Sequence, residues 1–135
     1  MSPKYLLDTN ICIYIRRHQP PEVLARFRRL RAGEAAISVI TSGELLYVAE
    51  KSQQRARALQ QLKELSTLIP VLPLPEDAAH AYGAVRSHLE SRGETIGNND
   101  LWIAAHAKAA GLILVTNNER EFKRVPGLKV QNWAV

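Results

Sequence analysis

The sequence predicts an α/β domain in which helices cover both faces of a mainly parallel central sheet, a three-layer α/β/α arrangement. Short apolar runs alternate with segments of helical periodicity, which is the pattern of parallel strands joined by helical crossovers. The run at 5–7 is apolar throughout and is followed by Asp8, as expected for a central strand buried on both faces. With 135 residues, the chain has the length of a single domain.

The predicted elements follow from apolar periodicity. In chain order they are strand 5–7, helix 11–15, helix 21–33, strand 35–40, helices 41–50 and 53–68, strand 71–74, helix 75–91, helix 100–110, strand 112–115, a helical turn at 122 and strand 128–130. We expect the two helices at about 41–68 to form a hairpin inserted between strands.

A few residues justify the boundaries of these elements. Pro21 suits the first turn of a helix. Thr41 and Glu44 have the spacing of a capping box, in which a hydroxyl and a carboxylate satisfy the first backbone amides of a helix. Pro73 places the strand around it at the edge of the sheet, because proline cannot donate a ladder hydrogen bond. Gly111 suits the left-handed position that ends a helix.

The composition excludes several classes of protein. The single cysteine, Cys12, rules out an internal disulfide, and its apolar neighbours predict a core position. No apolar stretch approaches the roughly 20 residues of a membrane span, and the N-terminus lacks the features of a signal peptide. We therefore expect a cytoplasmic protein that does not associate with membranes.

Positive charge is concentrated in one segment of the chain. The formal net charge is +5, and the segment 16–31 contains six arginines with Glu22 as its only acid. This pattern favours a polyanionic partner such as nucleic acid. The alternative is a solvated basic helix face, which the charge count alone does not distinguish.

Acidic residues recur where predicted strands end or helices begin. Asp8 follows the first strand, Glu44 follows the second, and Asp100 opens a helix, while a polar group at 117–121 follows the strand at 112–115. In a parallel sheet these segments project from one edge, where ligands bind. The alternative is that each acid only stabilises the start of a helix.

Converging carboxylates need a counter-charge. Two unit charges about 4 Å apart repel by roughly 4 kcal/mol at an effective dielectric constant near 20. An oxygen-rich site of this kind suits Mg²⁺ or Mn²⁺. The predicted chemistry is metal-assisted hydrolysis of a phosphodiester, in which the metal polarises the phosphate and activates a water molecule.

Polar residues beside these acids are candidates to support the metal ligands, with a turn or capping role as the alternative for each. They are Thr9, Asn10, Thr41, Asn98, Asn99, Thr116 and Asn118. Other chemistries lack their motifs. The serines lie in no nucleophile elbow, the histidines have no zinc-ligand spacing, and no glycine-rich phosphate loop is present.

Four motifs in this order resemble the PIN-domain ribonucleases, and within them the VapC toxins of bacterial toxin–antitoxin pairs. They are Leu7-Asp8-Thr9-Asn10, Ile40-Thr41-x-x-Glu44-Leu45, the stretch 96–107 around Asp100, and Val115-Thr116-Asn117-Asn118-x-x-Glu121-Phe122. The resemblance covers essentially the whole chain and implies a single PIN domain at 1–135. The stretch around Asp100 is the most specific of the four motifs.

The resemblance implies a Mg²⁺-dependent endoribonuclease, with Mn²⁺ as a substitute. Carried over by position, Asp8, Glu44 and Asp100 are the catalytic acids, and Asp8 and Asp100 are the metal ligands. Many PIN domains have an aspartate where this chain has Asn118. We therefore take Glu121 as the candidate for the fourth catalytic carboxylate, with Glu119 behind it.

The resemblance also implies partners. The RNA substrate would be structured, with initiator tRNA cut in its anticodon loop as the specific expectation, and translation would stop. A VapB-type antitoxin would neutralise the enzyme and insert an arginine into the acidic pocket. We also expect a homodimer and larger toxin–antitoxin complexes. The arginines expected to bind RNA are Arg16, Arg17, Arg28 and Arg29.

Two other functions remain open from the sequence. The first is a PIN-like module that binds RNA or a partner without cutting, because Asn118 replaces a carboxylate. The second is phosphoryl transfer through an aspartyl-phosphate on Asp8, although the haloacid-dehalogenase pattern requires an aspartate at the position of Asn10.

Overall fold

A computed structural model describes residues 2–135. In chain order the elements are β1 Tyr5–Leu7, α1 Thr9–Arg17, α2 Pro21–Arg28, β2 Ala35–Ser38, α3 Val39–Glu50, α4 Arg55–Ser66, β3 Val71–Leu72, α5 Asp77–Ser91, α6 Asn98–Ala110, β4 Ile113–Val115, α7 Glu119–Phe122 and β5 Val130–Gln131. No helix formed by residues 2–135 has the length and hydropathy needed to cross a bilayer.

The sheet is parallel throughout, with β1 at its centre. The strand order is β3-β2-β1-β4-β5, and Leu6 of β1 lies in register with Ala36 of β2 and Leu114 of β4. The predicted parallel sheet is confirmed. The strand before Pro73 lies at the edge of the sheet, as its proline predicts.

Side chains of β1 alternate between two separate cores, one on each face of the sheet. Tyr5 and Leu7 pack with buried side chains of α1 and α2, and Leu6 packs with buried side chains of α5 and α6. Because helices cover both faces, the three-layer α/β/α prediction is confirmed. Cys12 is buried in the first of these cores, as predicted.

The boundary between β2 and α3 differs from the prediction. The strand ends at Ser38, whose backbone is extended and whose hydroxyl accepts a hydrogen bond of 3.2 Å from the amide of Ile40. Ser38 is therefore the helix cap, and Thr41 lies buried inside α3. The capping-box prediction for Thr41 and Glu44 is wrong, and the helical hairpin begins at Val39.

Other element boundaries also differ from the prediction. α2 ends at Arg28, before a turn through Gly33, whose φ of 89° suits glycine. α4 is shorter than predicted, and β5 begins two residues later than predicted. α6 begins at Asn98, because the Gly97 carbonyl already accepts the first helical hydrogen bond. Asp100 is therefore the third residue of α6 rather than its first.

Candidate active site

Asp8 is both a helix cap and part of the acidic edge. Its Oδ1 accepts hydrogen bonds from the amides of Asn10 at 2.8 Å and Ile11 at 3.4 Å. Its Oδ2 accepts a hydrogen bond of 2.6 Å from the hydroxyl of Thr116. Burial raises the pKa of Asp8, although these three hydrogen bonds act in the opposite direction. The carboxylate is thus fixed in position by its neighbours.

Thr116 connects the loop after β4 to Asp8. Its fully buried hydroxyl donates to Asp8 and accepts a hydrogen bond of 2.9 Å from the amide of Asn118. Asn118 therefore supports the site through its backbone. The side-chain amide of Asn117 instead donates a hydrogen bond of 2.6 Å to the hydroxyl of Tyr14.

Glu44 receives hydrogen bonds from two other elements. Its Oε1 accepts a hydrogen bond of 2.6 Å from the hydroxyl of Thr9 in α1, and its Oε2 accepts one of 3.4 Å from the amide of Asn99 in α6. The structure therefore brings together Thr9, Glu44 and Asn99, which the sequence analysis singled out. These contacts also explain why Glu44 does not reach back to cap its own helix.

Asp100 is half-buried and has the clearest electrostatic perturbation at the site. Burial, and after it the negative charges of Asp8, Glu121 and Glu44, together raise the pKa of Asp100 to about 6. These three acids therefore lie close enough to act on Asp100. The ion pairs found among residues 2–135 use other acids: Glu50, Glu90, Glu94 and Glu119.

Glu121 and Glu119 differ in their surroundings although both lie on α7. Glu119 forms an ion pair of 2.9 Å with Lys123, and hydrogen bonds from Lys123 and Asn132 lower its pKa. Glu121 is half-buried and acts on Asp100. The geometry therefore directs Glu121, rather than Glu119, toward the acidic edge.

The donor set of this site consists of carboxylate oxygens. Within residues 2–135, no three histidine, cysteine or acidic side chains form a preformed metal cage. Magnesium usually keeps several water ligands and uses only one or two carboxylates. Asp8 and Asp100, which act on each other electrostatically, fit that mode of binding.

Three other candidate residues do not contact the acids through their side chains. Asn10 contributes its backbone amide to Asp8, and its side chain is exposed. Thr41 is buried, and its hydroxyl has no hydrogen-bond partner within the described part of the chain. Asn98 accepts a hydrogen bond from the hydroxyl of Tyr82 on α5.

The predicted RNA-binding arginines lie away from the acidic edge. Arg16 and Arg17 are in the last turn of α1, whose first turn Asp8 caps. Together with Arg57 of α4, which the sequence analysis missed, they line a polar cleft of about 400 Å³. Arg28 and Arg29, at the C-terminal end of α2, are exposed.

A buried polar pair joins the helices that carry Glu44 and Asp100. The ring of His106 on α6 lies 2.8 Å, Nδ1 to Oγ, from Ser38, which caps α3. Both side chains are buried, and burial lowers the pKa of His106. The sequence analysis did not find this pair, although a histidine in the apolar run of α6 is a signal for one.

Comparisons with known proteins identify the family to which this chain is similar. The family model of the PIN domain matches residues 5–128. Ribonuclease VapC2 of Haemophilus influenzae is 45% identical over 131 residues, covering 96% of this chain and 98% of the relative. The tRNA(fMet)-specific endonuclease VapC of Shigella flexneri is 44% identical over 131 residues, covering 97% and 98%. A crystal structure of DNA-bound VapBC from Salmonella typhimurium aligns with a TM-score of 0.90 and 39% identity, covering 97% and 98%.

Proposed function

Because the chain belongs to the PIN-domain family, in its VapC group, we propose that it is a Mg²⁺-dependent endoribonuclease toxin that cuts structured RNA and stops translation. The observation that carries this proposal is the acidic edge, where Asp100 is half-buried near Asp8, Glu121 and Glu44, and burial together with their charges raises its pKa. Carboxylates gathered without a basic partner need a cation to neutralise them.

Each of the four acidic residues has a proposed role in binding the cation or forming the acidic pocket. Asp8 and Asp100 hold the cation, and Glu44 and Glu121 complete the acidic pocket. A bound divalent cation would polarise the scissile phosphate and lower the pKa of the attacking water, and Mn²⁺ would serve the same oxygen ligands. Hydrogen bonds from Thr116 to Asp8 and from Thr9 to Glu44 fix these carboxylates before RNA binds.

Initiator tRNA is the substrate we propose. Support comes from the VapC enzymes of Shigella flexneri and Salmonella typhimurium, which are named tRNA(fMet)-specific endonucleases and are 44% and 39% identical to this chain. The two alignments cover 97% and 96% of this chain. A cytoplasmic location, expected from the sequence, is part of the same proposal.

The test is cleavage of total tRNA, and of purified initiator and elongator methionine tRNAs, by antitoxin-free protein with Mg²⁺ or with EDTA. We expect one discrete product from the initiator tRNA, formed only with Mg²⁺. Asp8→Asn should abolish cleavage, and because asparagine caps helices as well as aspartate does, the fold should survive. Asp77→Asn, a matched change in the first turn of α5, should cleave normally.

A second candidate function is RNA binding without cleavage, which Asn118 favours because it supplies no carboxylate. Asp100→Asn separates the two proposals. If wild type and this variant bind RNA equally and neither cleaves it, the binding function is correct. Cleavage by wild type alone supports the nuclease.

We propose a VapB-type antitoxin as the protein partner, because VapBC complexes of relatives share this fold. A cleft of about 430 Å³ beside α1, α2 and α4 supports the proposal. Its apolar lining includes Leu24, Phe27 and Leu65. Its charged lining consists of Arg16, Arg28 and Glu64, so its net charge is positive, which suits an apolar segment with acidic side chains. An arginine from the antitoxin would neutralise the acidic pocket.

A homodimer, and larger complexes with the antitoxin, complete the proposal. Support comes from α3, on which Val39, Leu46, Tyr47 and Val48 are exposed. Leu46→Glu should reduce the molar mass measured by light scattering to that of one chain, whereas Gln60→Glu on α4 should leave it unchanged.

A further inference from the structure

A cleft of about 460 Å³ opens between α5 and the beginning of α6, beside the acidic edge. Its apolar lining consists of Leu89, Ile96 and Leu101, all buried. The polar part of the lining consists of Tyr82, Arg86, Glu90, Thr95 and Asn98. The active site proposed above uses none of these side chains.

One wall of this cleft is held rigid by aromatic stacking. The ring of Tyr82 stacks on Trp102, with centroids 3.9 Å apart and planes at 15°. The Tyr82 hydroxyl donates to Asn98 and accepts a hydrogen bond of 2.7 Å from Arg86. The wall is therefore formed before any ligand enters, which lowers the entropic cost of binding.

The polar rim offers both donors and acceptors. Arg86 contacts the Glu90 carboxylate at 3.2 Å, and both side chains are about half exposed, 50% and 53%. The planar guanidinium keeps further N–H groups free for the edge of a base, and the carboxylate can accept from an amino group. A phosphate would suit this rim poorly, since Glu90 repels it and already engages the only arginine of the lining.

The cleft lies within reach of the proposed scissile position. Asn98 on its rim and Asp100 at the acidic edge belong to the same first turn of α6. Residues two positions apart on a helix point to opposite sides, but the Asp100 carboxylate turns back over Gly97, where an added Cβ would lie 3.7 Å from its Oδ2. Gly97 stands between Ile96 and Asn98 of the cleft, so the nucleotide next to a phosphate at Asp100 is within reach of the cleft.

We propose that this cleft binds an unpaired nucleobase of the RNA, next to the phosphodiester positioned at the acidic edge. The inference rests on the nuclease proposal and adds a subsite to it. The base is planar and uncharged, so its faces suit the apolar lining and its edge suits Arg86 and Glu90. Single-stranded RNA is recognised in this way, through stacking and through contacts to base edges.

The test measures RNA binding by the Asp8→Asn protein in Mg²⁺, because a cation is then present at the acidic edge and the nuclease proposal predicts that this protein does not cleave RNA. The probes are a five-nucleotide single-stranded RNA and five versions of it with one abasic site each. We expect removal of one particular base to weaken binding at least about fivefold. Equal binding of all six probes overturns the inference.

Two variants locate the effect in the cleft. Arg86→Gln removes the guanidinium from the rim, and Thr95→Phe fills the cleft without changing charge; both should abolish the preference for the base. Arg92→Gln is the matched control, because Arg92 caps the C-terminal end of the same helix and, like Arg86, pairs with one glutamate, Glu94, at 2.7 Å. If all three variants behave alike, the base does not bind in this cleft.

Two further measurements separate the outcomes. Cleavage by the wild type in Mg²⁺ is measured in parallel, so a base preference that needs Arg86 without any cleavage supports the subsite and overturns the nuclease proposal. Cleavage without a base preference supports the nuclease proposal and overturns the subsite. Molar mass by light scattering completes the test, because a mass changed by Thr95→Phe would make the cleft an interface between chains and overturn the inference.

Discussion

At the scale of single residues, Asp100 links the electrostatics of the site to the stability of the protein. Its pKa of about 6 lies above the ordinary value of 3.8, because it is half-buried beside three other acids. A carboxyl whose pKa is raised in the native state holds its proton more tightly there than in the unfolded chain. Ionised Asp100 therefore destabilises the metal-free protein above about pH 6, and this cost fades as the pH falls toward 4.

Asp100→Asn removes the charge and should raise the melting temperature of the metal-free protein at neutral pH. The gain should shrink at about pH 5, where Asp100 of the wild type is largely protonated. Melting followed by circular dichroism in EDTA at both pH values measures the difference. Asp77→Asn should show no such pH dependence, and an equal gain at both pH values would contradict the electrostatic explanation.

Thr116 is the second residue with a specific prediction. Thr116→Val keeps the volume of this fully buried side chain but removes its hydrogen bonds to Asp8 and Asn118. We expect the free energy of unfolding to fall by about 1.5–3 kcal/mol, as for other hydrogen bonds to charged groups. Urea unfolding measures the loss. Thr67→Val, at an exposed threonine that donates to a backbone carbonyl, should cost much less.

The sequence sufficed to single out Asp8, Glu44 and Asp100, but it placed Glu121 ahead of Glu119 only through the family resemblance. Asp8 is recognisable because a carboxylate follows an uninterrupted apolar strand. The two glutamates lie two positions apart on a four-residue helix, so spacing does not separate them. The structure adds that Lys123 pairs with Glu119, a contact that depends on how α7 packs and that favours Glu121 as the free acid. The roles of these acids in catalysis stay predictions.

At the scale of elements, the junction of β2 and α3 is a place where the apolar pattern of the sequence does not predict the boundary between strand and helix. Val39 and Ile40 continue the apolar run of the strand, and a short apolar run looks the same in a strand and in a buried helix start. Ser38 begins the helix earlier because its hydroxyl caps it and also meets His106. A tertiary contact from 68 residues away thus supports the boundary.

Ser38→Ala should therefore lower the free energy of unfolding by more than the loss of an ordinary helix cap does. It removes the acceptor for the Ile40 amide and leaves the buried Nδ1 of His106 without its partner. We expect a loss of about 2–3 kcal/mol in the free energy of unfolding. Ser66→Ala, at an exposed serine bonded to a backbone carbonyl, is the control and should lose at most about 0.5 kcal/mol. A similar loss in both variants would rule out a special role for the buried pair.

At the scale of the whole molecule, alternating strands and helices were enough to predict a parallel sheet, but not the order of its strands. Right-handed crossovers allow several orders for five strands, and the choice depends on which helices pack together. The consequence for function is a separation of charge. Acids gather where β1, β2 and β4 end, whereas Arg16 and Arg17 lie in the last turn of the helix that Asp8 caps.

The role of Arg28 and Arg29, at the end of α2, can be tested through the salt dependence of RNA binding. Replacing Arg28 and Arg29 with glutamine should weaken RNA binding and flatten its salt dependence, because fewer counterions are released. If each contacts one phosphate of a single-stranded region, the slope of log K against log salt should fall by about 1.4. Fluorescence anisotropy with Asp8→Asn protein, at several salt concentrations, measures the slope without cleavage.

A double variant of Arg92 and Lys129, both exposed and outside the segment 16–31, controls for the loss of two positive charges. It should leave the slope nearly unchanged. Since Arg28 also lines the apolar cleft beside α2 and α4, an unchanged slope in the Arg28 and Arg29 variant would assign these residues to the antitoxin instead. Weaker binding of the antitoxin to that variant, with RNA binding intact, would establish that division between the two surfaces.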